Sequence, residues 1–217
     1  MDEFLKSFAD KYEKWNDESN FTCSSRIIPV GESFSPQQWV VHGEVVFDIL
    51  KNARSFALTE CLCRTHYNRC TSPRDVCFLI DDFSDKGVAH KKAWRISLDE
   101  AKAVLKKADQ HGLVHLALYM PGHKIYALCS CCSCCCHDLQ LLLQYHRTDL
   151  VARSDYIAVT PQDQCTSCGR CIDRCQFGAR KITEGLLEYD PAACMGCGLC
   201  ISACPEKIIG MQKRQSP

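Results

Sequence analysis

The 217-residue sequence has no apolar run long enough to span a bilayer and no excess charge of either sign. Its 26 basic residues balance 26 acidic ones, which gives neither nucleic acid nor an anionic membrane a bulk electrostatic footprint. The opening MDEFLKSFADKYEKWNDE is charged throughout and lacks the apolar core and small-residue cleavage site of a secretory signal. Also missing are a G-x-G-x-x-G turn after a strand and a Walker loop, which argues against direct use of NAD or ATP. Cysteine is what the chain has in excess, with 19 residues. Their odd number, the frequent vicinal pairs and the lack of a signal point away from a disulfide framework and toward thiols kept reduced in a cytoplasm.

Eight of these cysteines repeat one spacing. Cys165, Cys168, Cys171 and Cys175 read C-x2-C-x2-C-x3-C; Cys194, Cys197, Cys200 and Cys204 repeat it and add Pro205. Three thiolates spaced in this way wrap a short loop around one iron–sulfur cube, and the fourth ligand comes from elsewhere. Zinc knuckles are the competing account, but zinc sites pair C-x2-C units rather than use a run of three with a distant fourth.

On QCTSCGRCIDRC and ACMGCGLCISACP, the segment from about Asp155 to Met211 resembles a bacterial-type ferredoxin with two [4Fe-4S] clusters. The resemblance implies that each run's last cysteine crosses to the other cube. Cluster one would take Cys165, Cys168, Cys171 and Cys204, and cluster two Cys194, Cys197, Cys200 and Cys175. It also implies small paired hairpins: YIAVT, RKIT and GLLEYD read as strands, with Gly185 in a turn. Such a module has little apolar core, so cluster bonds supply much of its folding energy. Gln176 departs from the proline usual after Cys175, and it retains a backbone N–H for a hydrogen bond near that ligand. Oxygen-sensitive cubes suit an anaerobic host.

Ahead of this tail the pattern predicts an α+β fold: a helical, cysteine-rich domain over residues 1–150, with a β-hairpin, preceding a ferredoxin domain over 155–212. Phe4, Leu5, Phe8, Tyr12 and Trp15 recur at helical spacing. Ser35-Pro36 opens a helix through Trp39, Val46, Ile49 and Leu50, interrupted by Gly43. Residues 56–62 suit a short buried strand. Ser97 and Glu100 form a capping box for a helix that Gly112 stops. LVHLALYM and KIYALC flank Pro121-Gly122-His123 as a hairpin, and residues 138–147 continue as a helix. Helix followed by hairpin resembles the end of a winged helix, although the neutral charge and the mixed signs of residues 97–111 argue against DNA.

Ten further cysteines lie in two dense patches: Cys61, Cys63, Cys70 and Cys77, then Cys129, Cys131, Cys132, Cys134, Cys135 and Cys136. One or two could be small apolar core residues, but this density predicts metal ligands, for one or two additional iron–sulfur clusters or zinc. If the second patch starts a helix, Cys131 shares a face with Cys135 and Cys132 with Cys136, whereas adjacent pairs such as Cys131 with Cys132 or Cys134 with Cys135 do not easily share one small ion. The first patch would then close each centre. The C-x-C-R segment before a cysteine-dense segment and a two-cluster tail resembles the extension of uncharacterised iron–sulfur proteins of anaerobes. His66 and His137 lie within the patches, at the surface or hydrogen-bonded beside the ligands, or as ligands themselves. Arg64 and Arg69 would offset thiolate charge, bind an anion or face solvent. Arg170, Arg174, Arg180 and Lys181 would form a docking face for an acidic partner or a solvated one.

Three functions follow as expectations. The first is an electron carrier relaying low-potential electrons to or from a flavoprotein or other low-potential oxidoreductase. The second is an oxidoreductase whose upstream centre reduces a substrate with electrons from the tail. The third is a redox-sensitive regulator.

Overall fold

The computed structural model describes residues 1–19, 25–28, 46–120 and 124–214. In chain order these form α1 (Glu3–Ser19), β1 (Ser25–Ile28), α2 (Val46–Asn52), β2 (Phe56–Thr59), α3 (Leu62–Tyr67), β3 (Cys77–Ile80), α4 (Asp81–Ala89) and β4 (Ala93–Trp94). Then come α5 (Leu98–Gln110), β5 (Val114–Met120), β6 (Lys124–Cys131), α6 (His137–Tyr145) and β7 (Val151–Ala152). The tail adds β8 (Tyr156–Val159), α7 (Arg170–Asp173), β9 (Arg180–Thr183), β10 (Leu186–Tyr189), α8 (Leu199–Ala203) and β11 (Gly210–Lys213). The fold is mixed α+β, as the sequence pattern predicts.

Strands β1 to β7 form one sheet in the order β4-β2-β3-β6-β5-β1-β7, antiparallel except for the β1–β7 pair. The expected hairpin, β5 with β6, runs in register from Val114 opposite Cys131 to Met120 opposite Lys124, with a bulge at Leu118/Tyr119. Its turn, Pro121-Gly122-His123, lies outside the described residues, as do Ser35, Pro36, Trp39 and Gly43 of the expected second helix. The winged-helix likeness ends at the element order. The hairpin is the centre of the sheet, with β3 bonded to β6 and β1 to β5, so neither strand is a free wing.

Alternation along β5 sends side chains to two apolar layers. Val114, Leu116 and Leu118 pack with Leu5, Ala9 and Tyr12 of α1 and Leu139 and Leu142 of α6. Ala117 faces the other way, toward Val46 and Leu50 of α2 and Ala101 and Leu105 of α5. Leu5, Ala9 and Tyr12 fall one helical turn apart, which is why α1 buries only that stripe. Helix α5 begins with the reciprocal Ser97–Glu100 capping box and stops at Gly112, whose φ of +67° only glycine adopts cheaply.

The layers position the cysteines. Cys77 opens β3, Cys129 and Cys131 end β6, Cys61 caps α3 and Cys136 caps α6. All stand near one end of the sheet, where β2 ends opposite the start of β3 and β6 runs out toward α6. In the tail β8 pairs with β11 and β9 with β10, both antiparallel. Met195, Cys197 and Leu199 of the second cysteine run pack into the same core as Leu5 and Leu139. Among the described residues no helix is long and apolar enough to cross a membrane.

Candidate metal centres

Both C-terminal runs fold the same way. Gly169 (φ +77°) precedes α7 and Gly198 (φ +76°) precedes α8, so each run turns through a left-handed residue into a short helix carrying its third cysteine. A cavity with apolar walls from Leu187, Ile208 and Ile209 is lined by Cys165, Cys168, Cys171 and Cys204. The last of these comes from the other run. Around Cys197 stand Cys175, Cys194 and Cys200, and here Cys175 is the visitor. Burial pushes the free Cys197 thiol up, and the neighbouring thiols add to that. Burial also pushes Cys200 up to about 11, against the opposing pull of Arg180. Free thiols at these positions stay protonated, so a metal bound there would have to displace their protons.

Arg180 sits between the two sets. It is 3% exposed, its Nη1 donates to Cys171 Sγ at 3.9 Å and to Thr160 Oγ1 at 2.9 Å, and its guanidinium lies 4.7 Å from the Tyr189 ring centre. Its Nη2 is buried without a protein partner among the described residues. A cation with a spare donor between two soft donor sets fits anionic clusters. Arg180 therefore leaves the expected basic face. Arg174 leaves it too, since it donates to the Asp109 and Gln110 carbonyls, and Lys181 pairs with Glu188 at 2.9 Å.

Upstream, the ten cysteines divide into two groups. The thiols of Cys61, Cys63, Cys136, Cys131, Cys129 and Cys77 neighbour one another in that order, and Cys77 closes the ring on Cys61. Contact with Cys63 and Cys77 pulls Cys61 down, while Cys63 is pushed up by Cys136 and Cys61. The other four, Cys70, Cys132, Cys134 and Cys135, form a separate candidate metal site with all sulfur atoms within 4.8 Å of one another. The helical pairing expected for this patch is overturned. The chain leaves β6 at Cys131 and turns, with Cys135 and Cys136 both donating to the Cys132 carbonyl, before α6 starts at His137. A turn lets Cys134 and Cys135 converge at 3.8 Å, contrary to the expectation, and parts Cys131 from Cys132.

Arg64 and His137 complete the surroundings. Arg64 is 1% exposed, so it is no solvated flank; Nη1 donates to Cys132 Sγ at 3.6 Å and Nη2 to the Ser130 carbonyl at 2.9 Å. Arg69 donates to the Cys134 carbonyl and to Gln140. His137 Nδ1 lies 3.0 Å from Cys63 Sγ and its Nε2 2.7 Å from the Tyr12 hydroxyl, under the stacked Phe8 ring. His66 stacks on Phe4 instead. Burial pushes neighbouring Asp138 up to about 7, with His137 opposing. Spacing gave no sign of the Tyr12 contact, because it joins positions 125 residues apart.

Gln176 acts through its side chain. Its Oε1 accepts from the Ser133 N–H, and its Nε2 donates to the Gly112 carbonyl.

A 4Fe-4S binding domain model matches residues 187–210, which include the second run. The chain is similar to one subunit of the ion-translocating oxidoreductase complex of Methanosarcina acetivorans, 40% identical over 48 residues, covering 22% of this chain and 18% of the relative. It is also similar to a tetrathionate reductase subunit of Archaeoglobus fulgidus (34% over 87 residues; 38% and 42% of the two chains). With the PorD subunit of pyruvate synthase from Methanothermobacter marburgensis it shares 37% over 54 residues, 25% of this chain and 63% of the relative. The chain spans less than two thirds of each of these relatives. It thus carries a C-terminal 4Fe-4S binding domain of the ferredoxin type behind a cysteine-rich N-terminal region with a candidate four-cysteine metal site.

Proposed function

We propose that the chain is an iron–sulfur electron-transfer protein, with two [4Fe-4S] clusters in its tail and further metal centres upstream. The observation that carries this reading is the exchange of fourth thiols. Cys204 lines the cavity of Cys165, Cys168 and Cys171, and Cys175 stands with Cys194, Cys197 and Cys200. Bound there, the clusters would supply one-electron chemistry with charge spread over several irons. The protein's part is to hold the thiolates, place Arg180 between the two sets and exclude water from one of them. Cys194, Cys197 and Cys200 are buried, whereas Cys168 is exposed. Beside it, Ile182 and Leu186 of the β9–β10 hairpin are exposed apolar side chains, 44% and 68% accessible. An apolar rim at the more accessible set is where a redox partner would dock, a flavoprotein or another low-potential oxidoreductase. The names of the relatives, components of oxidoreductases, agree with such a role.

An oxidoreductase with its own substrate site upstream is less well supported. The six-thiol ring is largely buried, with Cys61, Cys63, Cys77, Cys131 and Cys136 all below 9% exposure, which suits a relay better than a site that admits substrate.

Anaerobic purification tests the proposal by counting iron, acid-labile sulfide and zinc per chain and recording electron spin resonance after dithionite. About eight irons and eight sulfides in the tail, with two interacting reduced clusters, are expected. Colourless protein without a reduced signal would overturn it.

A further inference from the structure

Two groups of upstream thiols differ in how closely their sulfurs approach, and that spacing reports nuclearity. Cys70 Sγ lies 3.8 Å from Cys132 Sγ and 3.9 Å from Cys135 Sγ, and Cys134 Sγ lies 3.8 Å from Cys135 Sγ. Four sulfurs bonded tetrahedrally to one ion at about 2.3 Å stand about 3.8 Å apart. A cubane seats each thiolate on a different iron, which holds the ligand sulfurs farther apart than a shared ion does. The chain carries its own comparison. Among the described residues neither C-terminal set closes to the spacing of this group.

We infer that Cys70, Cys132, Cys134 and Cys135 hold a single tetrahedral divalent ion, zinc or ferrous iron, without inorganic sulfide, and that the six-thiol ring is a separate centre. The inference deepens the proposed reading of the upstream region as metal-bearing and does not depend on the tail clusters. Four thiolates around one divalent ion leave a net charge of −2, and two guanidinium groups stand ready to offset it. Arg64 donates to Cys132 Sγ, and Arg69 donates to the Cys134 carbonyl. The loop is pinned in its closed form, with Cys135 N–H bonded to the Cys132 carbonyl and Ser133 N–H bonded to Gln176. Four sulfur donors leave no open position, so the ion has a structural role if zinc and a one-electron role if iron.

The test is metal and acid-labile sulfide per full-length chain, purified anaerobically, for the unsubstituted protein and for Cys70→Ser and Cys134→Ser. Both positions are half-buried, and the reduced signals of the tail report that each variant has folded. The expected result is the loss of one metal equivalent with sulfide unchanged, and the element lost distinguishes zinc from iron. Loss of about four irons together with about four sulfides would overturn the inference. So would full retention of metal. Should the variants misfold, X-ray absorption and Mössbauer spectra of the unsubstituted chain decide. Zinc with four sulfurs at about 2.3 Å, or a high-spin ferrous site without sulfide bridges, supports the single ion, and the lack of both overturns it. Failure of the tail clusters with this ion still present would sink the electron-transfer reading alone.

Discussion

The Gln176 side-chain oxygen accepts the Ser133 backbone N–H at 2.7 Å. Gln176 follows Cys175, and Ser133 lies between Cys132 and Cys134, so a single side chain joins the first cysteine run of the tail to the four-thiol group. On the other side of the same carboxamide, the amide nitrogen donates to Gly112, at the end of α5. Proline, usual at this position in ferredoxins of the resembling type, could make neither bond.

Gln176→Ala should therefore loosen the junction. It strands the Ser133 N–H and the Gly112 carbonyl in a partly buried place, which costs about 1–3 kcal/mol. A lower urea midpoint and faster amide exchange at residues 132–135 are expected, with both tail clusters retained. Gln176→Glu, which keeps the acceptor but loses the donor, should fall between. Unchanged exchange in the alanine variant would make the bridge idle.

Arg180 should set the reduction potentials of the tail. Reduction adds negative charge beside a buried cation, so the cation favours the reduced state. A unit charge about 4 Å away interacts by about 4 kcal/mol at an effective dielectric near 20. Spreading the electron over a cluster reduces this several-fold, to a drop on the order of 50 mV for Arg180→Gln, where 1.4 kcal/mol corresponds to about 59 mV. Because Arg180 lies near both Cys171 and Cys200, both potentials should fall in a spectroscopic redox titration. A shift in neither, with both clusters assembled, would remove Arg180 from the tuning role.

Local chemistry was legible where it is local. The Ser97 cap, the Gly112 stop, the α1 stripe and the β5–β6 hairpin each rest on neighbours close in sequence, and all appear as read. Strand β3 and helix α4 were not foreseen, because CFLI is four residues long and its hydrogen bonds go to β2 and β6, far away in sequence. The ten upstream cysteines were legible as a candidate ligand set, but their division into a ring and a foursome was not. That division depends on whether residues 132–136 turn or coil, and they turn, with α6 starting only at His137. The buried placements of Arg64 and Arg180 had no sequence signal, since an arginine is solvated far more often than enclosed.

Glycine at 196 should be irreplaceable. A Cβ there would stand 2.0 Å from the Tyr156 carbonyl oxygen and 2.8 Å from Ser154 Cβ, at a φ of +74°. Backbone must move, so Gly196→Ala should cost more than about 3 kcal/mol and prevent cluster assembly around Cys194 and Cys197. Gly178→Ala has the same sign of φ but nothing within 4 Å, so only the backbone penalty of about 1–2 kcal/mol remains. Comparable iron contents and melting temperatures for the two variants would refute the steric account.

Helix α5 provides a pH-dependent contribution. Ser97 Oγ accepts from the Glu100 N–H at 3.2 Å, and Glu100 Oε2 accepts from the Ser97 N–H at 2.7 Å. Ser97→Ala should cost about 1 kcal/mol in urea unfolding at neutral pH. The Ser97 backbone N–H, then its hydroxyl, hold the Glu100 carboxyl below the usual 4.5. Its contribution is complete above that value and is lost as pH falls through the lower folded value. The stability gap between the parent chain and Glu100→Gln should therefore be constant above about pH 5 and close below it. A gap that widened on acidification would reverse the assignment.

Arg64 offers the sharpest test of the upstream region. Burial works against its charge, but the sulfurs of Cys61, Cys77 and Cys131 and the bond to Cys132 outweigh that and keep it protonated. It thus touches the foursome while facing the ring. Removing one partner from a buried charge network leaves the other uncompensated, at a cost of about 3–5 kcal/mol. Arg64→Met should lose upstream metal and expose thiols to a titrant such as dithiobis(nitrobenzoate), while tail iron stays. Arg64→Lys keeps the charge but cannot reach Cys132 and Ser130 as one planar fork, so it should recover only part of the metal. If Arg64→Met kept the parent's upstream metal and thermal midpoint, the guanidinium would not be the counter-ion of these thiolates.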